Sequence, residues 1–125
     1  MTTFKTQKEF PHLKLFKRKF EITDNTVFAW DGCIYANHTL TNDLLIHEET
    51  HLKQQEKYNK ALWLKDYLED TDFRLKMEVQ AYKNQLSSIK DRERRNRMKI
   101  LAAIDLSSSL YGNIATFPEA IERLT

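Results

Sequence analysis

Leu44-Leu45-Ile46-His47-Glu48-Glu49-Thr50-His51-Leu52 is the stretch on which the reading of this chain turns. Apolar residues lead into it and follow it, which marks a buried helix in which each polar side chain needs a reason. On an α-helix, residues i and i+4 are rotated by about 40° and separated by about 6 Å along the axis. The imidazoles of His47 and His51 therefore leave one face and can converge on one ion. Zinc takes neutral imidazole nitrogens, usually in a tetrahedron. Glu48 lies beside that face, where its carboxylate can take the proton of a water whose pKa zinc lowers. The competing reading is two partly exposed histidines on an amphipathic helix.

The flanks support a helix here. Thr41 is placed to cap free backbone N–H groups, with Leu40 and Leu45 spaced as a hydrophobic staple. This predicts a helix from Asn42 to about Asn59, with the motif in its second turn. Ala61 to Leu68 is a second helical segment. Glu69-Asp70-Thr71-Asp72 reads as a break, with Thr71 or Asp72 capping a helix from Phe73 to about Lys90. A further helix is expected from Arg94 to Leu110, closed by Gly112, and a short terminal one from Thr116 with Pro118 in its first turn.

Two histidines hold zinc weakly, so a third ligand is needed. In the Phe73–Lys90 helix, Leu75, Val79, Tyr82, Leu86 and Ile89 form an apolar stripe. Glu78 lies within it, and a carboxylate on a core-facing stripe is costly unless it pairs or binds a metal. The separation of 27 positions from His51 to Glu78 (78 − 51) suits a helix, a turn and a second helix folding back. The alternative for Glu78 is an ion pair with Arg74, Lys76 or Lys83. Competing ligands are Glu69, Asp70 and Asp72, while Glu56 faces sideways.

Upstream, the β signal is strongest at Val27–Trp30 and Cys33–Ala36, which flank Asp31-Gly32. An Asp-Gly pair between two apolar runs predicts a hairpin, because a type I′ turn needs positive φ at both central residues. Weak alternation at His12–Phe16 and Phe20–Ile22 suggests one or two short strands, and residues 1–10 read as loose. The fold class expected is α+β, mostly helical, with a small N-terminal antiparallel sheet on a single domain spanning residues 1–125. Only 2 glycines and 2 prolines among 125 residues leave few breaks, which favours long helices. No apolar run approaches a membrane span, and no signal-peptide core is evident. Cys33 is the only cysteine, so no intramolecular disulfide can form and the expected compartment is the cytoplasm. Cys33 itself reads as a buried strand residue, and His12 and His38 as surface residues.

His47-Glu48-x-x-His51 followed by Glu78-Val79-Gln80-Ala81 resembles the gluzincin branch of the zincin metallopeptidases. The wider stretch, roughly residues 27–86, is similar to small zincin-like proteins of bacteriophages and prophages. It includes His51-Leu52-Lys53-Gln54-Gln55, Tyr67-Leu68, Phe73-Arg74-Leu75 and Ala81-Tyr82. The resemblance implies one zinc per chain held by His47, His51 and Glu78, with Glu48 as general base in peptide-bond hydrolysis. It implies a sheet edge that pairs with an extended substrate, for which the Val27–Ala36 hairpin is the candidate. It also implies a host-cell or virion setting if the protein is phage-encoded. Tyr82 and Tyr111 are candidates to steady an oxyanion, although both also fit as core aromatics. The partners expected are therefore a peptide or protein substrate and, in an assembly, a protein partner.

Two other functions compete. One is a zinc-binding structural protein, for example of a phage particle, that keeps the site without turnover. The other is an anion- or nucleic-acid-binding helical module using Lys90–Lys99, where six basic residues face two acidic ones. A net charge of +2 argues against nucleic acid, and a solvated helix face is the plainer reading of that run.

Overall fold

The computed structural model describes residues 2–125. Helix α1 Leu13–Lys19 lies between the first and second of three short strands, and five helices follow them: α2 Asn42–Tyr58, α3 Lys60–Glu69, α4 Thr71–Ser87, α5 Arg92–Leu106 and α6 Phe117–Leu124. Strands β1 Thr3–Lys5, β2 Phe28–Trp30 and β3 Cys33–Tyr35 form one sheet in the order β1-β3-β2. The fold is mostly helical α+β.

The Asp-Gly hairpin forms as its turn chemistry requires. Trp30 pairs with Cys33, leaving Asp31 at φ 50° and Gly32 at φ 79° as the two turn residues. The sheet, however, is mixed and not wholly antiparallel. Thr3–Lys5 adds to β3 in parallel, and a Thr6–Glu9 capping box opens a 3₁₀ turn at Gln7–Glu9. Of residues 1–10, expected to be loose, Met1 lies outside the described residues, while Thr3–Lys5 and Gln7–Glu9 are ordered, because parallel pairing joins distant segments and leaves no local turn signal. His12–Phe16 is helical and not a strand: Leu13, Phe16 and Phe20 share one helical face, and that spacing outweighs the weak alternation. Phe20–Ile22 is irregular.

Side-chain caps set the starts of α3, α4 and α5. Thr41 stands at the N-cap of α2 with an extended backbone, without a side-chain capping bond. Asn59, at φ 133°, ends α2 and caps α3 by accepting from the Ala61 and Leu62 N–H groups. Asp70, not Thr71 or Asp72, caps α4, accepting from Asp72 and Phe73. Helix α4 stops at Ser87 because Ser88 turns its hydroxyl onto the Gln85 carbonyl, and Asp91 then caps α5. Helix α5 stops at Leu106, where Ser107 and Ser108 bond back to the carbonyls of Ala103 and Asp105. Gly112, at φ 80°, lies in the loop beyond it and is not its cap.

Two apolar clusters organise the interior. One joins Leu75, Val79, Tyr82 and Leu86 of α4 to Ala102, Ala103 and Leu106 of α5 and to Ala120 and Leu124 of α6. The other gathers Phe10, Phe16, Phe20, Phe28, Tyr35, Trp63 and Tyr67. Arg74 stitches the clusters. Its guanidinium lies 4.9 Å from the Phe20 ring centroid and donates to the carbonyls of Tyr67, Leu68 and Tyr111. Among the described residues no helix is long and apolar enough to cross a membrane.

The two glycines predict a graded effect. A Cβ on Gly32 meets nothing within 4 Å, so Gly32→Ala bears only the backbone cost, about 1–2 kcal/mol. A Cβ on Gly112 also meets Arg74 Nη2 at 3.3 Å and Phe20 Cε1 at 3.4 Å. Urea denaturation is expected to show Gly112→Ala as the more destabilised variant. Equal losses would mean that the Arg74 packing tolerates the methyl group.

Candidate metal centre

Helices α2 and α4 lie side by side and bring three of the four expected residues together. His47 Nε2 is 3.2 Å from Glu78 Oε1, and His51 Nε2 is 3.0 Å from Glu78 Oε2. One ligand atom from each of the three lies within 4.8 Å of the others, and all three residues are buried. The expected rivals fall elsewhere. Glu56, Glu69, Asp70 and Asp72 are exposed, and Asp70 is committed as a cap. Glu78 pairs with neither Lys76 nor Lys83 nor Arg74. Its second oxygen instead accepts a 2.6 Å hydrogen bond from Tyr67.

The far side of each imidazole is held by a glutamine. His47 Nδ1 lies 3.0 Å from Gln85 Oε1, while the Gln85 amide donates to Asp43 Oδ2 at 2.9 Å. A carboxylate only accepts, so this amide orientation is chemically required. Asp43 in turn pairs with Arg94 at 3.1 Å. Burial works against the charge on Asp43, but hydrogen bonds from Gln85 and Thr41 and the nearby Arg94 hold its pKa below the usual value. His51 Nδ1 lies 2.9 Å from Gln54 Oε1, which also accepts from Trp63 Nε1. The Gln54 amide donates to the Met77 carbonyl at 3.1 Å.

Both glutamine oxygens therefore accept, so both Nδ1 atoms must donate. In the neutral tautomer this leaves each Nε2 with a lone pair aimed at a carboxylate oxygen. Acceptor facing acceptor repels unless a cation lies between them, either a proton or a metal ion. The donor set, two imidazole nitrogens and a carboxylate, is one that zinc takes. His47, His51 and Glu78 thus fit a metal ion, with Gln54, Gln85 and Tyr67 orienting them.

The charges follow from this geometry. Burial lowers the pKa of His51, but the Glu78 carboxylate overrides it and raises the group to about 9. Burial raises the pKa of Glu78, yet His51 and His47 pull it well below the ordinary carboxylate range. Glu48 is buried near the triad; burial raises its pKa, and the two histidines partly offset that.

A cavity of about 330 Å³ opens onto His47, His51 and Glu78. Tyr82, Tyr111 and Asp105 are also on its wall, but Glu48 is not among the lining residues. Tyr82 packs its ring edge-on to His47 at 4.4 Å, and its hydroxyl lies 2.8 Å from that of Tyr111. Strand β2 is the free edge of the hairpin, but the Ala29 carbonyl on it already accepts from Gln55 Nε2 at 2.8 Å. Cys33 is buried on β3 as expected. His38 is exposed, whereas His12 is half-buried, edge-on to Trp30 at 4.8 Å.

Sequence reading singled out none of Gln54, Gln85, Tyr67, Asp43 and Asp105 for the site. The available signal was spacing: Gln85 lies seven residues after Glu78 and so two turns along the same face of α4. Within the Lys90–Lys99 run, Arg94 is tied to the site through Asp43. The chain matches no protein-family model, no curated protein and no solved structure.

Two outcomes are expected. First, zinc must displace the proton on His51, so calorimetry at pH 7 in buffers of different ionisation enthalpy should show release of about one proton per zinc. For metal-free protein the His51 contribution to stability is complete below pH 6.5 and fades as pH rises through about 9. That of Glu78 is present above pH 4.5 and is lost at lower pH. Zinc uptake that leaves the buffer proton balance unchanged would refute the charged pair. Second, Gln85→Leu should weaken zinc binding about 10- to 100-fold while retaining a 1:1 site. An unchanged affinity would show that Gln85 does not orient His47.

Proposed function

We propose that this protein is a zinc-dependent metallohydrolase that cleaves peptide bonds. The observation that carries the reading is the convergence of His47 Nε2, His51 Nε2 and a Glu78 oxygen, with both Nδ1 atoms committed as donors. Zinc held by these three residues would supply a Lewis acid that lowers the pKa of a coordinated water towards neutrality and polarises a carbonyl. The local resemblance of His47-Glu48-x-x-His51 and Glu78 to gluzincin peptidases supports the same assignment.

The chain's own residues divide the remaining work. Glu48 accepts a proton from the attacking water and returns it to the leaving amine nitrogen. Its burial, which favours the protonated form, matches the second of these roles. Tyr67 holds one Glu78 oxygen at a fixed position through its hydroxyl. In the Tyr82–Tyr111 pair one hydroxyl donates to the other, leaving one O–H proton to donate into the cavity. That proton is suited to a developing oxyanion. Glu48 must swing its carboxylate to the cavity side of the triad to act.

The position of Glu48 off the cavity wall favours a second reading, a zinc-binding structural protein without turnover. Glu48→Gln separates the two. Under the hydrolase reading this variant keeps one zinc per chain and loses at least about 100-fold in cleavage of a quenched-fluorescence peptide library. Comparable cleavage by both proteins would remove Glu48 as the base. A zinc-loaded parent that cleaves no peptide in the library would leave the structural reading.

A further inference from the structure

Aromatic rings drawn from segments far apart in sequence form a large part of the wall of the cavity beside the triad. Phe10, Phe16, Phe20, Phe28, Trp30 and Trp63 all line it. Several of these rings already meet edge-on: Phe10 and Phe16 at 5.2 Å and 72°, Phe16 and Phe28 at 5.4 Å and 81°. A volume of about 330 Å³ is at the small end of ligand pockets, enough for one large side chain and not for a length of peptide. Polar residues from the Glu21–Thr26 loop also line it.

The ionisable lining is one-sided. Besides the triad, the charged residues on the wall are Glu21 and Asp105, and among the described residues no lysine or arginine lines it. Asp105 projects from α5 into the same cavity as His47. Away from the triad, a carboxylate brought in by a substrate would face these acids with no lysine or arginine to answer it, and desolvating it there is unfavourable.

Building on the metallohydrolase reading, we propose that this chamber is the specificity pocket of the site. It takes a bulky aromatic side chain next to the bond being cleaved and rejects an acidic one. Aromatic rings gain most from such walls, because edge-to-face contacts add to the burial of apolar area. The pocket thus selects substrates by their side chain, separately from the metal ligands that hold the reacting group.

The chain's two tryptophans, Trp30 and Trp63, both line the chamber, so intrinsic fluorescence reports its occupancy. Zinc-loaded protein would be titrated with the hydroxamates of N-acetyl-phenylalanine, N-acetyl-alanine and N-acetyl-glutamate. The phenylalanine compound is expected to bind at least tenfold more tightly than the alanine one and to change the tryptophan emission. The glutamate compound should bind more weakly than the alanine one, and Asp105→Asn should narrow that gap. Leu64 also lines the chamber, and Leu64→Asp, which places a carboxylate on the wall, should erase the phenylalanine preference while one zinc per chain is retained. Equal binding of the phenylalanine and alanine compounds overturns the proposal while leaving the metal site intact. If the protein takes up no zinc, the metallohydrolase reading fails. The chamber is then tested alone with N-acetyl-phenylalanine amide, and an emission that does not respond overturns it as well.

Discussion

The arrangement of this protein depends on one electrostatic constraint. Two imidazole nitrogens and a carboxylate are buried nose to nose, and each histidine has already spent its other nitrogen as a donor to a glutamine. Without a positive charge between them the three groups repel. A proton supplies that charge in the metal-free state, and the structure then holds a buried ion pair, which is expensive to desolvate. A divalent cation would supply it with all three groups as ligands. The polar shell around the triad makes sense on this basis: Gln54, Gln85, Tyr67 and Asp43 are each placed to fix an acceptor that would otherwise turn away.

Burial of that shell explains the packing around it. Tyr82, from the α4–α6 cluster, lies edge-on to His47, while Tyr67, from the aromatic cluster, donates to Glu78. The site thus sits at the seam where the two apolar clusters meet. Each cluster shields one side of the triad from water, which strengthens the charges inside. Arg74 reinforces the same seam without touching the ligands. It binds the carbonyls at the end of α3 and the one at Tyr111, and its cation lies near two aromatic rings.

What could be read from the sequence was what is local. The i, i+4 histidines, the Asp31-Gly32 turn and the stripe of α4 with Glu78 inside it are short-range patterns, and each has one geometric solution. What could not be read was set at a distance. Strand β1 pairs with β3 across about thirty residues, and only tertiary contact specifies that partner. The glutamine supports look like ordinary polar residues until the facing helix is in place. His12–Phe16 misled because two apolar residues at alternate positions satisfy a strand pattern, whereas the burial of Phe16 and Phe20, with Leu13 half-buried beside them, is visible only with the core in view. The serines after Leu106 also stopped α5 early through side-chain bonds to its last carbonyls, a competition that periodicity does not register.

The distribution of polar groups also separates two tasks that a small chain must combine. Those that orient the triad lie on α2, α3 and α4, and they are neutral amides and hydroxyls apart from Asp43. The amide side chains hold the imidazoles without competing for the cation, as a carboxylate at the same place would. Asp43 is removed by one residue from His47, and its charge is answered at the surface by Arg94. Acidic charge is placed instead at Asp105 and Glu21, on the wall of the cavity. The basic run at the start of α5 therefore contributes to the site in one place only, through Arg94. Of its other members, Arg95 is half-buried and donates to the Ile89 carbonyl, while Lys90, Arg92 and Arg97 are exposed, which is how a helix end with several like charges is ordinarily tolerated.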